Sequence, residues 1–152
     1  MHGPIKEVTA VLRNIHTKAD VEDASMIIME HDSGILSYVG SGWSCPWAFH
    51  MNVHGTRGVA HFRITGQQWR DPSKSPQPIR LYIDRDPLGE DTVSDMVEGD
   101  MFRDALEDFA ICIREDKNPE VNEKIAHESL AVVHAASESS KSRKTVSVRD
   151  FL

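Results

Sequence analysis

Between Asp100 and Arg114, Phe102, Leu106, Phe109, Ala110 and Ile113 recur at i, i+4, i+7, i+8 and i+11, the period of one helical face. Arg103, Asp104, Glu107, Asp108, Arg114 and Glu115 take the other positions, so the helix presents an apolar stripe to something flat and its charges to water. Most apolar residues upstream of Asp95 alternate as in strands, which makes the flat object a sheet covered by this helix and its successor.

The strands come in sequence. Ile5 to Ile15 places Val8, Ala10 and Leu12 on one side. Ala24 to His31, with Met26, Ile27, Ile28 and Met29 in a row, is too apolar for a strand with one wet face, so both its faces are expected to be covered. Asp32-Ser33-Gly34 is a hairpin turn into a return strand from Ile35 to Gly40. Trp47 to His54 sets Trp47, Phe49, Met51 and Val53 against Ala48, His50, Asn52 and His54. A turn at Gly55 to Gly58 leads to a strand from Val59 to Thr65, and a loop from Gly66 to Pro78 leads to a short strand from Ile79 to Ile83. From Asp84 to Gly99 the chain reads as acidic and irregular. Asn122 is an N-cap for a second helix reaching about Ser139, with Ile125, Ala126, Leu130, Val133 and Ala136 as its apolar side. A polar loop and a strand from Thr145 to Val148 follow.

Strands segregated from helices give an α+β fold: an open, mainly antiparallel sheet with two helices packed on one face. Residues 1–152 are expected to form a single domain. Two helices cover only one side of a sheet, yet the strands around Met26 to Met29 and Trp47 to Val53 carry large apolar residues at both parities. The other face is therefore expected to serve in oligomerisation, as a homodimer or higher homo-oligomer.

Charge narrows the function. Lys and Arg number 17 against 24 Asp and Glu, a formal charge of -7 that opposes binding to nucleic acid or an anionic membrane. Cys45 and Cys112 belong to no CxxC or His-rich spacing and read as reduced thiols. With no secretory leader pattern and no long apolar run, the expected location is the cytoplasm.

Gly40-Ser41-Gly42-Trp43-Ser44-Cys45 superficially matches a dinucleotide fingerprint, but Pro46 and an alternating strand follow where a helix N-terminus must receive the pyrophosphate. His50 and His54 share a strand face without an acidic or thiol ligand nearby, so no metal site is assigned. Metal-dependent catalysis through that pair is the least favoured reading. Trp43, Trp47 and Trp69 lie in or beside loops, where aromatic rings line sugar sites or anchor interfaces. His127 and His134 lie on one stripe of the second helix with no nucleophile set beside them. Glu107-Asp108 and Glu115-Asp116 read as a solvated helix face and end. No serine sits in G-x-S-x-G, and no catalytic residue is assigned.

The order of signals resembles the C-terminal domain of the Gfo/Idh/MocA family of NAD(P)-dependent oxidoreductases. The matching stretches are Val21-Glu22-Asp23-Ala24 into an apolar strand, Asp32-Ser33-Gly34-Ile35 into its return, and Val53-His54-Gly55-Thr56-Arg57-Gly58-Val59, similar to a strand ending in G-T-x-G. Phe102 to Asp116 resembles the family's helix before a proline, Ala131 to Ser139 its second helix, and Lys144 to Val148 its last strand. The resemblance covers nearly all of residues 5–152.

What the resemblance implies is a substrate-side and oligomerisation domain of an oxidoreductase acting on a sugar or polyol, not catalytically competent alone. The family's glycine fingerprint, its E-K-P segment with the catalytic lysine and its D-x-x-x-H helix are not in this sequence, and Glu115-Asp116-Lys117-Asn118-Pro119 is not E-K-P. No cofactor is expected on this chain alone; NAD or NADP is implied for the complete family enzyme, carried by a Rossmann domain in trans. A natural short protein and a fragment of a longer enzyme both fit the abrupt start at Ile5. Trp43, Trp47, His50 and Trp69 are the expected substrate-pocket residues. The alternative is a noncatalytic binding or scaffold protein derived from that domain.

Overall fold

The structure is a computed structural model that describes residues 3–45, 48–56, 58–65, 80–84, 92–95 and 101–152. Its strands are β1 (Ile5–Arg13), β2 (Ala24–His31), β3 (Leu36–Gly42), β4 (Ala48–Gly55), β5 (Gly58–Thr65), β6 (Arg80–Asp84), β7 (Thr92–Asp95) and β8 (Val146–Ser147). Helices α1 (Met101–Glu115) and α2 (Glu123–Ser142) and a closing 3-10 turn at Val148–Phe151 complete the described chain. The α+β class and antiparallel pairing hold. The strands form two four-stranded ladders rather than one sheet, and the chain divides into two compact units, Met1–Cys45 with Phe109–Leu152 and Pro46–Asp108.

In the first unit the strand order is β3-β2-β1-β8. Gly34, at a φ of 79° that an L side chain rarely adopts, turns β2 into β3, with its N–H on the His31 carbonyl at 2.8 Å. The register sets Val8 against Met29 and Ala10 against Ile27, so these four point to one face. α2 packs there. Val8, Ala10, Met29, Ala131, Ala135, Ala136 and Val148 form the buried core, edged by Ile5, Ile27, Val132, Val146 and Phe151.

α2 starts where the sequence places it: the Asn122 side chain accepts from the Lys124 and Ile125 amides. Its buried face is the expected one only in part: Ala136 is buried, but Ile125, Ala126, Leu130 and Val133 are exposed, and Ala131 and Ala135 join the core instead. A helix lying close over a strand admits only short side chains, so its alanines turn inward and its larger residues outward.

The helix also runs three residues beyond its expected end, through serines that bond outward. Ser139 Oγ accepts the Ala10 amide at 3.0 Å and donates to the Lys144 carbonyl at 2.6 Å. Ser140 Oγ accepts the Leu12 amide at 2.9 Å. These two hydroxyls continue the edge of β1 past β8, which pairs only with Glu7 and Val8. The expected final strand is correspondingly short and passes into the 3-10 turn. His31, buried beneath the hairpin, donates from Nδ1 to the Gly3 carbonyl at 3.0 Å and accepts the Ser37 hydroxyl at Nε2 at 2.8 Å, pinning the chain as it enters β1.

In the second unit β4, β5, β6 and β7 pair in chain order as a meander. Phe49 and Phe62 meet edge to face at 6.2 Å on one side of it. β7 falls in the stretch expected to be irregular.

On α1, Leu106, Phe109 and Ile113 are 54–71% exposed. The helix ends with Asp116 in the left-handed region, φ 53°, and Lys117 N–H on the Cys112 carbonyl at 2.9 Å.

Replacing Ser139, 1% exposed, by Ala leaves the buried Ala10 amide without an acceptor, a loss of about 1–3 kcal/mol. Urea unfolding of Ser139→Ala is expected to show a lower midpoint at unchanged slope; an unchanged midpoint would remove Ser139 from the account of stability.

Candidate functional site

Of the four residues expected to line a pocket, Trp47 and Trp69 lie outside the described residues. Trp43 stands in the first unit and His50 in the second. Trp43 follows β3 directly; its N–H donates to the Asp23 carbonyl at 2.8 Å while its indole is 70% exposed. The glycines before it, Gly40 and Gly42, lie within β3, and the chain goes on into a turn at residues 43–45, so no helix N-terminus stands behind them.

The residue that fixes this corner is Asp23, which the sequence reading passed over except as a motif position. Its carboxylate, 5% exposed, accepts the amides of Ile15 at 2.8 Å, His16 at 2.7 Å and Thr17 at 2.6 Å. Its own amide donates to Arg13 and its carbonyl receives Trp43. One side chain thus gathers the loop between β1 and β2 and the turn carrying Trp43. The Thr17 and Ile15 amides, with His16 adding to them, favour the ionised form over the cost of burial and hold the Asp23 carboxyl below its ordinary 3.8.

On β4, His50, Asn52 and His54 are exposed and share a face. Asn52 stands opposite His61 of β5, and His61 Nδ1 donates to Asn52 Oδ1 at 3.0 Å. His50 and His54 are four residues apart on an extended strand, hence roughly 13 Å, too far to share one ion. Among the described residues no group of three His, Cys, Asp or Glu is placed to hold a metal. Cys45 is exposed and Cys112 buried. His127 and His134 are exposed on α2, His134 stacking on Phe151 at 6.2 Å.

The sheet face of the first unit opposite α2 is an exposed apolar surface. Val11, Met26, Ile28, Leu36 and Tyr38 are 51–70% exposed and border a shallow depression of about 440 Å³. The register explains why they meet: Val11 pairs with Met26, and Ile28 with Tyr38. The mixed parity of residues 26–29 was the readable signal for this face; β1 and β3 supply the rest of it. No helix among the described residues is long and apolar enough to cross a membrane.

Residues 1–61 match the family model described as the GFO/IDH/MocA C-terminal domain, a stretch that includes the motifs at Val21–Ala24, Asp32–Ile35 and Val53–Val59. No curated protein sequence matches the chain. The fold is similar to that of a protein from Desulfitobacterium hafniense assigned as an NADPH-dependent oxidoreductase, with TM-score 0.85 and 23% identity over 98% of this chain and 43% of that one. It is similar to an oxidoreductase from Agrobacterium radiobacter in complex with NAD+, L-tartaric acid and magnesium, with TM-score 0.75 and 19% identity over 99% of this chain and 45% of that one. It is also similar to the aldose-aldose oxidoreductase of Caulobacter crescentus complexed with glycerol, with TM-score 0.75 and 19% identity over 95% of this chain and 42% of that one. The chain spans less than half the length of these solved structures.

Asp23 lends stability with a definite pH sign. Its folded pKa is depressed, so the contribution is present above the ordinary value of 3.8 and disappears as pH falls through the lower folded value. In Asp23→Asn the amides of Ile15, His16 and Thr17 are expected to lose hydrogen-exchange protection at neutral pH, and acid unfolding is expected to lose part of its steepness. Unchanged protection would count against the clamp.

Proposed function

We propose that this chain, whose first 61 residues match the Gfo/Idh/MocA C-terminal domain and whose fold is shared with oxidoreductases about twice its length, is the substrate-side and oligomerisation domain of such an enzyme. The two compact units are read as parts of this one domain. The observation that carries the reading is the two-sidedness of the first unit: α2 seals one face of the β3-β2-β1-β8 sheet, and the other offers Val11, Met26, Ile28, Leu36 and Tyr38 to a second surface. A homodimer through that face removes these side chains from water, at about 25 cal/mol for each Å² of apolar area.

Hydride transfer on this reading belongs to a Rossmann domain in trans holding NAD or NADP, because no dinucleotide cradle stands behind Gly40 and Gly42. The substrate is a sugar or another polyol. The aldose name of the Caulobacter structure and the tartaric acid in the Agrobacterium complex support that class. Trp43 and His50 are its proposed contacts among the described residues: an indole gives a C–H-rich sugar face a flat apolar surface, and an imidazole gives a hydroxyl a donor or acceptor. Trp47 and Trp69 complete the proposed set. The working compartment is the cytoplasm.

Light scattering over a dilution series, with NADH and NADPH then titrated under tryptophan fluorescence, tests this reading. A dimer or larger species indifferent to dinucleotide is the expected result. Ile28→Lys, which puts a charge at the centre of the face, is expected to shift the mass to the monomer with an unchanged far-UV CD spectrum. A wild-type monomer that binds dinucleotide would overturn the reading.

A further inference from the structure

The β4-β5-β6-β7 meander divides its residues between two faces by register. Phe49 stands opposite Ile64, Met51 opposite Phe62 and Phe62 opposite Leu81, while Val53 meets Ala60 and Ala60 meets Ile83, so one face is apolar across β4, β5 and β6. The other face is polar. His50, Asn52 and His54 of β4 pair with Arg63, His61 and Val59 of β5, and these in turn with Arg80, Tyr82 and Asp84 of β6. One row across the sheet therefore reads His50, Arg63, Arg80, with Asp95 of β7 at its outer end. The adjoining row reads Asn52, His61, Tyr82, roughly 7 Å along the strands.

Two arginines directly opposite each other are an unfavourable pair in an antiparallel sheet, their backbones being only roughly 5 Å apart. Arg80 has Asp95 opposite it on its other side. Arg63 has no such neighbour: the positions opposite and diagonal to it on the flanking strands belong to Ala48, His50, Asn52, Arg80 and Tyr82. Asp84, the other acidic residue at a described position of this face, is four residues along β6 from Arg80, roughly 13 Å. The sequence joining β5 to β6 holds Arg70 and Lys74 against Asp71, and Glu98 and Asp100 follow β7, the strand of Asp95. In a chain with a formal charge of -7, this pairing is not the result of a general excess of positive charge. An anion between the two arginines turns their repulsion into attraction, because guanidinium groups hold an oxyanion through paired N–H donors.

We infer that the row of His50, Arg63 and Arg80 binds the oxyanion of an acidic sugar, with Asn52, His61 and Tyr82 in the adjoining row supplying partners for its hydroxyl groups. Amide, imidazole and phenol offer both donors and acceptors, as a polyol chain requires. His61 Nδ1 donates to Asn52 Oδ1 at 3.0 Å, which orients that amide. The inference rests on the substrate-side reading above and deepens it: the substrate is a sugar carrying a carboxylate or a phosphate, rather than a neutral polyol.

Titration of the full chain with D-gluconate, D-glucose-6-phosphate and D-sorbitol, followed through the NMR signals of the histidine rings, tests it. The two anions are expected to shift His50 and His61 and to bind on the order of tenfold more tightly than sorbitol, with affinity falling as salt rises. The tighter of the two identifies the group as carboxylate or phosphate. Arg63→Gln is expected to lose that advantage, while its urea midpoint stays at or above that of the wild type because the like-charge pair is gone. Arg13→Gln, in the first unit, is expected to bind as the wild type does. Anions that shift His50 and His61 no more tightly than sorbitol does overturn the inference and leave the polyol reading standing. So does a folded Arg63→Gln that keeps its preference for the anions, or an equal loss in Arg13→Gln. Histidine signals that ignore all three probes overturn the inference together with the substrate-side reading.

Discussion

The close seat of α2 on β1 is the constraint from which the first unit follows. Ala131, Ala135 and Ser139 stand four residues apart along one helical row, and each is 2% exposed or less. A row of side chains this short lets the helix axis approach the strand until Val8 is fully enclosed and the Ser139 hydroxyl reaches a backbone amide. The approach gathers Met29 from β2 and Val148 from the last turn around the same point, so the chain's two ends meet in one core. Longer side chains in that row would lift the helix, open the core and break the hydroxyl bonds together.

That geometry explains which parts of the fold were legible. Strands announced themselves by alternation, and their turns by Gly34 and the Gly55 to Gly58 stretch, so β1 to β6 were found to within a few residues. β7 was missed because Thr92-Val93-Ser94-Asp95 holds one apolar residue and no alternation to detect. The helices were found, but their weights were inverted. α1 has large apolar residues at helical spacing and an exposed stripe, whereas α2 reads as weaker and builds the core. Hydrophobic size measures how much a residue gains on burial. It does not say how near two elements come, and here nearness decided.

The candidate site was less legible than the fold. Tryptophans and histidines can be picked from a sequence by chemistry, but no local pattern tells which compact unit a residue joins, and Trp43 and His50 belong to different ones. Asp23 went unread for another reason. Its importance lies in three backbone amides that carry no residue identity, so nothing in the letters of residues 15–17 marks them as its partners. The open face fared better because the run from Met26 to Met29 is apolar at both parities, a conflict with one-sided burial visible before any coordinates.

The serine hydroxyls on β1 have a further consequence for how the sheet can grow. A strand edge with free amides and carbonyls is a template for another chain. Beyond the short β8, the Ala10 and Leu12 amides are already occupied by Ser139 and Ser140, so that edge is closed to strand addition by side chains rather than by another strand. Lateral polymerisation through this border is blocked by two hydroxyls.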